Sequence, residues 1–127
     1  MRKVVVDMQN ALFADAISTA LKNFNSDFNV YQSEKPDKTA ELCFYVQADI
    51  LIMEVTAYAP RRMEERMKLR DEVKAGHPGC KVVLVVDENT EQKLADRVRQ
   101  AKKSGLIDNF VYGSVSATYL SAVIDAL

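Results

Sequence analysis

The sequence predicts a doubly wound α/β domain, in which helices cover both faces of a five-stranded parallel sheet as a three-layer α/β/α sandwich. Short apolar runs rich in valine and isoleucine recur along the chain, which is typical of strands buried on both faces. Amphipathic segments of helical period separate these runs, and right-handed helical crossovers between strands build a parallel sheet. No glycine- or serine-rich linker interrupts the alternation within residues 1–127. We therefore expect one domain over the whole sequence.

Five segments are predicted as strands because they are short, apolar and rich in β-branched residues. The clearest are DILIMEV at residues 49–55 and KVVLVVD at residues 81–87. The first strand is VVV at residues 4–6, followed by Asp7. Residues 28–31 alternate in polarity, which indicates a strand near a sheet edge, and residues 110–112 form a short fifth strand.

Helices are predicted between and after the strands from the spacing of apolar residues and from capping signals. The first spans residues 10–23, and the second begins at Pro36. The third spans residues 61–75 and ends at the Gly-His-Pro-Gly turn. A capping box at residues 89–92 opens the fourth helix, which Gly105 closes. Ser114 or Ser116 caps the last helix.

Composition and charge exclude several classes of protein. With 17 basic and 18 acidic residues the formal charge is −1, so no overall field draws the domain to nucleic acid or to a membrane surface. The N-terminal residues lack the features of a signal peptide, and no apolar run is long enough to span a membrane. Cys43 and Cys80 have no metal-ligand spacing, and we expect reduced, buried thiols. The expected location is the cytoplasm.

Two acidic residues mark the predicted functional edge of the sheet. Asp7 ends the first strand and Glu54 ends the third. In open parallel sheets ligands bind outside the carboxyl ends of the strands, at the point where the strand order reverses. We therefore expect these two carboxylates to lie close together at that point.

The order of these elements resembles the receiver domain of two-component response regulators along essentially the whole chain. VVVD at residues 4–7 resembles the first strand and acidic residues of that family, and DILIME at residues 49–54 is similar to the strand that ends in its phosphorylated aspartate. SGLID at residues 104–108 resembles the turn before its fifth strand. The resemblance implies a flavodoxin-like sheet with strand order 2-1-3-4-5.

The residues that perform chemistry in receivers are mostly replaced in this chain. The resemblance implies an acidic pair, but the sequence has Asp7 and Met8. Glu54 stands at the phosphoacceptor position, and Val86 stands where a hydroxyl is expected. The lysine position falls on Tyr112 or Gly113. Only weak Mg²⁺ binding at Asp7 and Glu54 is compatible with this set, and no cofactor is expected.

These replacements predict a degenerate receiver, or pseudo-receiver: a non-enzymatic module for signal transduction and protein interaction that has lost normal phosphorylation. The alternative is an atypical receiver that still responds to a cation or a phosphoryl group at Asp7 and Glu54. A third class, an unrelated flavodoxin-like enzyme, finds no nucleophile–base pair in the sequence. The domain is also compatible with the N-terminal part of a longer regulator, whose output domain would be the partner.

Other polar residues are interpreted as surface features or as an interface. His77 lies in a turn and is expected to be exposed. The basic residues of the third helix alternate with acidic ones, which predicts a salt-bridged, solvated face that includes Arg61 and Arg66. In receivers the face of helix 4, strand 5 and helix 5 is the usual dimerisation surface. The resemblance therefore implies a homodimer or a signalling face at Arg97, Tyr112 and Tyr119.

Overall fold

The computed structural model describes residues 1–87 and 92–127. Within these two ranges five strands and five α-helices alternate, with one 3-10 turn before the second helix. In chain order they are β1 (Arg2–Asp7), α1 (Ala11–Phe24), β2 (Phe28–Gln32), the 3-10 turn (Pro36–Lys38), α2 (Thr39–Val46), β3 (Ile50–Glu54), α3 (Met63–Gly76), β4 (Lys81–Val86), α4 (Gln92–Lys103), β5 (Asn109–Tyr112) and α5 (Ala117–Asp125).

The strands form one parallel sheet in the order β2-β1-β3-β4-β5, which confirms the predicted fold class and strand order. β1 lies between β2 and β3, and Val4 is paired with both Val30 and Ile50. β3 in turn pairs with β4, and β4 with β5. β2 and β5 are the edge strands, as the alternating pattern of residues 28–31 indicated for β2.

The apolar core consists of two layers because successive side chains of a strand point to opposite faces of the sheet. Val5, Leu51 and Leu84 face α2, α3 and α4. Their neighbours Val4 and Ile52 face α1 and α5, together with further residues of β4. Each central strand therefore contributes to both layers, which explains why its sequence is apolar without interruption.

The predicted ends of several elements shift by a few residues. Pro36 opens a 3-10 turn, and α2 begins only at Thr39. α3 begins at Met63, two residues after the predicted start. Ser116 is the residue that caps α5, since its hydroxyl accepts a hydrogen bond from Tyr119 N–H. The predicted capping box at residues 89–92 falls largely outside the described residues. Among those residues, no helix is long and apolar enough to cross a membrane.

Candidate functional site

The carboxyl ends of β1 and β3 place Asp7 and Glu54 at the same edge of the sheet. Asp7 is paired in register with Met53, the residue before Glu54. The loop after β1 turns back over this edge, and Gln9 N–H donates a 2.8 Å hydrogen bond to Glu54 Oε1. The two acidic residues are therefore neighbours at the point where the strand order reverses.

Asp7 is completely buried, and a guanidinium group contacts both oxygens of its carboxylate. Arg66 Nη1 donates to Asp7 Oδ2 at 2.8 Å, and Arg66 Nη2 donates to Oδ1 at 3.1 Å. Arg66 Nε donates to the Glu54 carbonyl oxygen at 2.7 Å. The Arg66 side chain is only 1% exposed. This bidentate geometry is the strongest that an arginine and a carboxylate form.

Hydroxyl groups and a second arginine complete the surroundings of Asp7. Thr39 Oγ1, at the start of α2, donates to Asp7 Oδ2 at 2.7 Å and lies 2.7 Å from Ser33 Oγ. Arg61 Nη2 lies 3.7 Å from Asp7 Oδ1, and the Arg61 side chain is 11% exposed. Arg61 Nε is buried and has no hydrogen-bond partner among the described residues. Asp7 thus connects β1 to α2, to the end of the loop between β3 and α3, and to α3 itself.

The prediction of a solvated face on α3 is wrong for Arg61, which precedes the helix with its side chain turned to Asp7, and for Arg66. Arg66 is buried on the same side of α3 as Met63, Leu69 and Val73. These positions recur at the spacing of one helix face, so an arginine within the apolar stripe was the signal in the sequence. The composition of α3 concealed it, because charged residues occupy most of the helix. Asp7 likewise does not face an open acidic pocket, since it has no exposed surface.

Glu54 has a different environment from Asp7, although the two are close. Its side chain is half-buried and lines a cavity of about 340 Å³ at the strand ends, together with Phe13, Val85, Asp87, Gly113 and Ser114. One oxygen, Oε1, accepts the hydrogen bond from Gln9 N–H. The Glu54 carboxylate therefore accepts one backbone hydrogen bond and also borders the cavity at the strand ends.

Of the other positions that the resemblance singled out, Met8, Val86 and Gly113 carry no side-chain group that could bind a phosphoryl oxygen. Met8 and Val86 are buried within the apolar layers. Gly113 is exposed at the rim of the cavity and donates its N–H to the Val86 carbonyl oxygen at 2.9 Å. Tyr112 is half-buried, and its hydroxyl accepts a 2.9 Å hydrogen bond from Arg99 Nη1.

The three residues predicted for the face of α4, β5 and α5 do not lie together, because Arg97 points away from the two tyrosines. Arg97 forms an ion pair with Glu64 of α3, with a distance of 2.8 Å, so it points toward that helix and away from β5. Tyr112 and Tyr119 instead line a groove of about 470 Å³ between α4 and the start of α5. Tyr119 is 57% exposed.

The two cysteines are free and buried, as predicted. Burial is the main reason that the pKa of Cys43 rises to about 12 and that of Cys80 to about 11. Both thiols are therefore protonated at neutral pH and are poor nucleophiles. His77 is partly covered rather than fully exposed, and it follows the C-terminus of α3. Among the described residues, no group of three or more histidine, cysteine or acidic side chains has the geometry to hold a metal ion.

Comparison with known proteins finds similarity in three-dimensional structure alone. No protein-family model and no curated protein sequence matches the chain. Among solved structures, a response regulator receiver domain protein from Clostridium thermocellum superposes with a TM-score of 0.78 at 16% sequence identity, covering 99% of this chain and 93% of that one. An orphan response regulator of H. pylori gives a TM-score of 0.76 at 17% identity, covering 98% and 94%. A DNA-binding response regulator of the LuxR family from Staphylococcus aureus gives 0.76 at 14% identity, covering 99% and 98%.

These superpositions extend over nearly the whole chain, so it has the fold of response regulator receiver domains. The resemblance seen in the sequence is confirmed at the level of fold.

Proposed function

We propose that this chain is a degenerate receiver, a non-enzymatic interaction module in signal transduction, whose conformation is set by an internal ion pair. The observation that carries the proposal is the buried contact of Arg66 with both oxygens of Asp7. A guanidinium with a permanent positive charge lies against the acid that resembles the metal-binding residue of receivers. No added cation is needed to balance the charge of Asp7.

The residues present do not fit a Mg²⁺ ion. Magnesium requires a nearly octahedral set of oxygen ligands and depends on carboxylates to supply charge. Both oxygens of Asp7 already accept hydrogen bonds, and Met8 supplies no second carboxylate. A divalent cation beside Asp7 would also be repelled by Arg66, and charge interactions are strong where water is excluded. We therefore propose that the domain needs no metal or other cofactor.

The surroundings of Glu54 support the loss of phosphoryl transfer. Its carboxylate is one methylene farther from the backbone than that of an aspartate, and an error of about 1 Å in a reacting group can cost roughly a hundredfold in rate. Neither Val86 nor Gly113 offers a side chain that would neutralise charge on a transferring phosphoryl group, which is the main source of catalysis in such reactions. Glu54 instead secures the loop after β1 through Gln9.

A second candidate function is an atypical receiver that binds a cation or a phosphoryl group at Glu54 and Asp7. The cavity of about 340 Å³ beside Glu54 favours it, because this cavity is lined by the polar residues Asp87 and Ser114 as well. Binding there would involve Glu54 more than Asp7, since Asp7 is enclosed.

An NMR titration distinguishes the two candidates. Amide spectra of the domain are recorded with increasing Mg²⁺ and then with beryllofluoride, which mimics a phosphoryl group. We expect no site-specific shifts at millimolar concentrations, because Arg66 already occupies the carboxylate of Asp7. Shifts centred on Asp7, Glu54 and Val86 that spread toward Tyr112 would support the atypical receiver instead.

Output from such a module depends on protein contacts, and we propose a partner protein or a connected output domain as the recipient. The domain itself is proposed not to bind nucleic acid, in keeping with its net charge of −1. A homodimer through α4, β5 and α5 stays a prediction.

A further inference from the structure

β2 is an edge strand of the sheet, and its outer side has no partner strand among the residues that the structure describes. Ser33 N–H, one residue beyond β2, donates to the Val6 carbonyl oxygen at 2.9 Å. Because successive residues of a strand direct their backbone groups to alternate sides, Val30 and Gln32 direct their N–H and C=O groups away from β1. Such a row of unpaired groups is a template for pairing with another strand. β2 also lacks the proline and the charged side chains with which many edge strands avoid such pairing.

A second copy of the same strand fits this edge when the two strands run antiparallel about a two-fold axis at Val30, the middle residue of β2. Val30 then exchanges backbone hydrogen bonds with Val30 of the other copy, as a hydrogen-bonded pair of an antiparallel ladder. Gln32 N–H donates to the Phe28 carbonyl oxygen of the other copy. Phe28 N–H needs no acceptor there, because it already donates to the Asn25 carbonyl oxygen at 3.1 Å. Both outward N–H groups, those of Val30 and Gln32, are thereby satisfied.

The side of α1 next to β2 carries charges that complement each other under the same two-fold axis. Asp15 lies at the C-terminal end of β2, where its Oδ1 accepts a 2.7 Å hydrogen bond from Gln32 Nε2. Lys22 lies about two helical turns further along the same side of α1, toward the start of β2. Both side chains are exposed, and neither forms an ion pair within the part of the chain that the structure describes. Two antiparallel copies would place Asp15 of each against Lys22 of the other.

On the opposite face of the sheet, an apolar groove borders the same edge. Leu42 and Tyr45 of α2 line it together with residues 32–35 at the end of β2, and its volume is about 530 Å³. Tyr45 is 87% exposed, the largest value among the exposed large hydrophobic side chains described. A stable interface buries roughly 800 Å² on each partner, which is more than two short paired strands supply. Covering Leu42 and Tyr45 would add the apolar area that the strands alone lack.

We infer that β2 is the interface of a homodimer in which the two five-stranded sheets join edge to edge. An unrelated extended peptide would satisfy the backbone of β2 as well, but a second copy also brings the charges of α1 in the complementary order. This interface lies at the opposite edge of the sheet from the face of α4, β5 and α5. The inference does not depend on whether the strand-end site binds a cation or a phosphoryl group, so it stands or fails separately from the proposed function.

Analytical ultracentrifugation of the whole chain measures the dimer, and amide hydrogen exchange locates its interface. We expect a dimer whose population rises with protein concentration. The amides of Val30 and Gln32 should exchange rapidly in dilute protein and about tenfold or more slowly where the dimer prevails. Tyr31 N–H faces β1 in either state, so its exchange should change little and provides the internal control.

Charge reversal and its rescue test the contribution of α1. Asp15→Lys or Lys22→Asp should each weaken the dimer by about tenfold or more, because a two-fold interface contains the altered pair twice. The double variant Asp15→Lys/Lys22→Asp restores opposite charges and should recover the dimer. Glu72→Lys makes the same reversal as Asp15→Lys at an exposed position of α3, and it should leave the equilibrium unchanged.

Val30→Pro tests the pairing of the strands themselves. An edge strand tolerates proline where the N–H group points outward, so circular dichroism should show a folded chain while the dimer is lost. The inference is overturned if the chain stays monomeric up to millimolar concentration, or if the single charge reversals weaken the dimer no more than Glu72→Lys does. It is also overturned by a dimer that Tyr119→Ala dissociates and Val30→Pro does not, since the interface would then lie on α4, β5 and α5.

Discussion

The carboxylate of Asp7 and the guanidinium of Arg66 are both removed from water, and each is the principal partner of the other. Taking such charges out of water is costly, and their mutual attraction with good hydrogen bonds offsets that cost. Removing one partner leaves an uncompensated buried charge, which destabilises the folded state more than replacing both partners does. The pair therefore contributes to the definition of one conformation more than to net stability.

Replacing Arg66 by methionine tests this interpretation. The variant Arg66→Met should lower the free energy of unfolding by about 3–5 kcal/mol, because Asp7 would stay buried without its counter-charge. The double variant Asp7→Asn/Arg66→Met should cost less than the sum of the two single changes, since the residues are in contact. Urea unfolding measures all three variants.

The matched control is Lys68→Met, two residues later in the same helix on an exposed side chain. Such a surface change should alter stability by no more than about 0.5 kcal/mol. If Arg66→Met were as mild as this control, the contact with Asp7 would not be holding α3 in place.

At the scale of the elements, the periodicity of apolar residues predicted most strands and helices. It failed where hydrogen bonds and ion pairs of polar side chains determine the structure. The strands around Leu51 and Leu84 were evident because both of their faces are buried. The start of α2 was predicted too early because Pro36 is compatible with the first turn of a 3-10 helix as well as of an α-helix. The hydrogen bond from the Thr39 hydroxyl to Asp7, at the true start of α2, could not be predicted from the local sequence. Contacts between residues far apart in the sequence, such as that of Arg66 with Asp7, leave no periodic signal of their own.

The contribution of the N-cap of α5 to the stability of the domain can be measured by a single substitution. Ser116→Ala removes the oxygen that accepts from Tyr119 N–H, and the expected loss of stability is about 1 kcal/mol. Ser26→Ala, at an exposed turn position, should change stability little. Thermal unfolding of the two variants provides the comparison. Equal midpoints would show that the start of α5 is fixed by the packing of Leu120 and Ile124 alone.

At the scale of the whole molecule, the fold follows from the sequence while the use of its strand-end edge does not. Three central strands that are apolar on both faces, in alternation with amphipathic helices, leave few alternatives to a doubly wound sheet. The same sheet supports many functions, so function has to be argued from the residues at the edge. There the resemblance indicated which side chains differ from those of receivers, and only the structure located the arginine that balances Asp7.

Global stability should fall at alkaline pH because of the two buried thiols. The pKa of Cys43 is about 12 and that of Cys80 about 11, against an ordinary value of 9.0. The stabilisation of the folded state that the two protonated, buried thiols contribute is fully present below pH 9. As the pH rises toward 11 and 12, thiols of the unfolded chain lose protons that the folded chain retains. Stability then declines by up to about 1.4 kcal/mol per pH unit for each thiol.

Urea unfolding from pH 8 to pH 11 measures this effect by difference. The variant Cys43→Ala/Cys80→Ala should show a shallower decline than the natural sequence, whatever its stability at pH 8. Parallel curves for the two proteins would contradict it, because tyrosines and lysines would then account for all of the pH dependence.

The loop that the Asp7–Arg66 contact closes has a consequence for the order of events during synthesis. The partners of Asp7 follow it by 32 residues at Thr39 and by 59 at Arg66. Asp7 leaves the ribosome before either of these partners, and its counter-charge emerges only after β3 is complete. Until then β1 cannot bury its end without an isolated charge, so the nascent first half of the sheet should remain open. The N-terminal half of the sheet would then become stable only when α3 has been synthesised and Arg66 can contact Asp7.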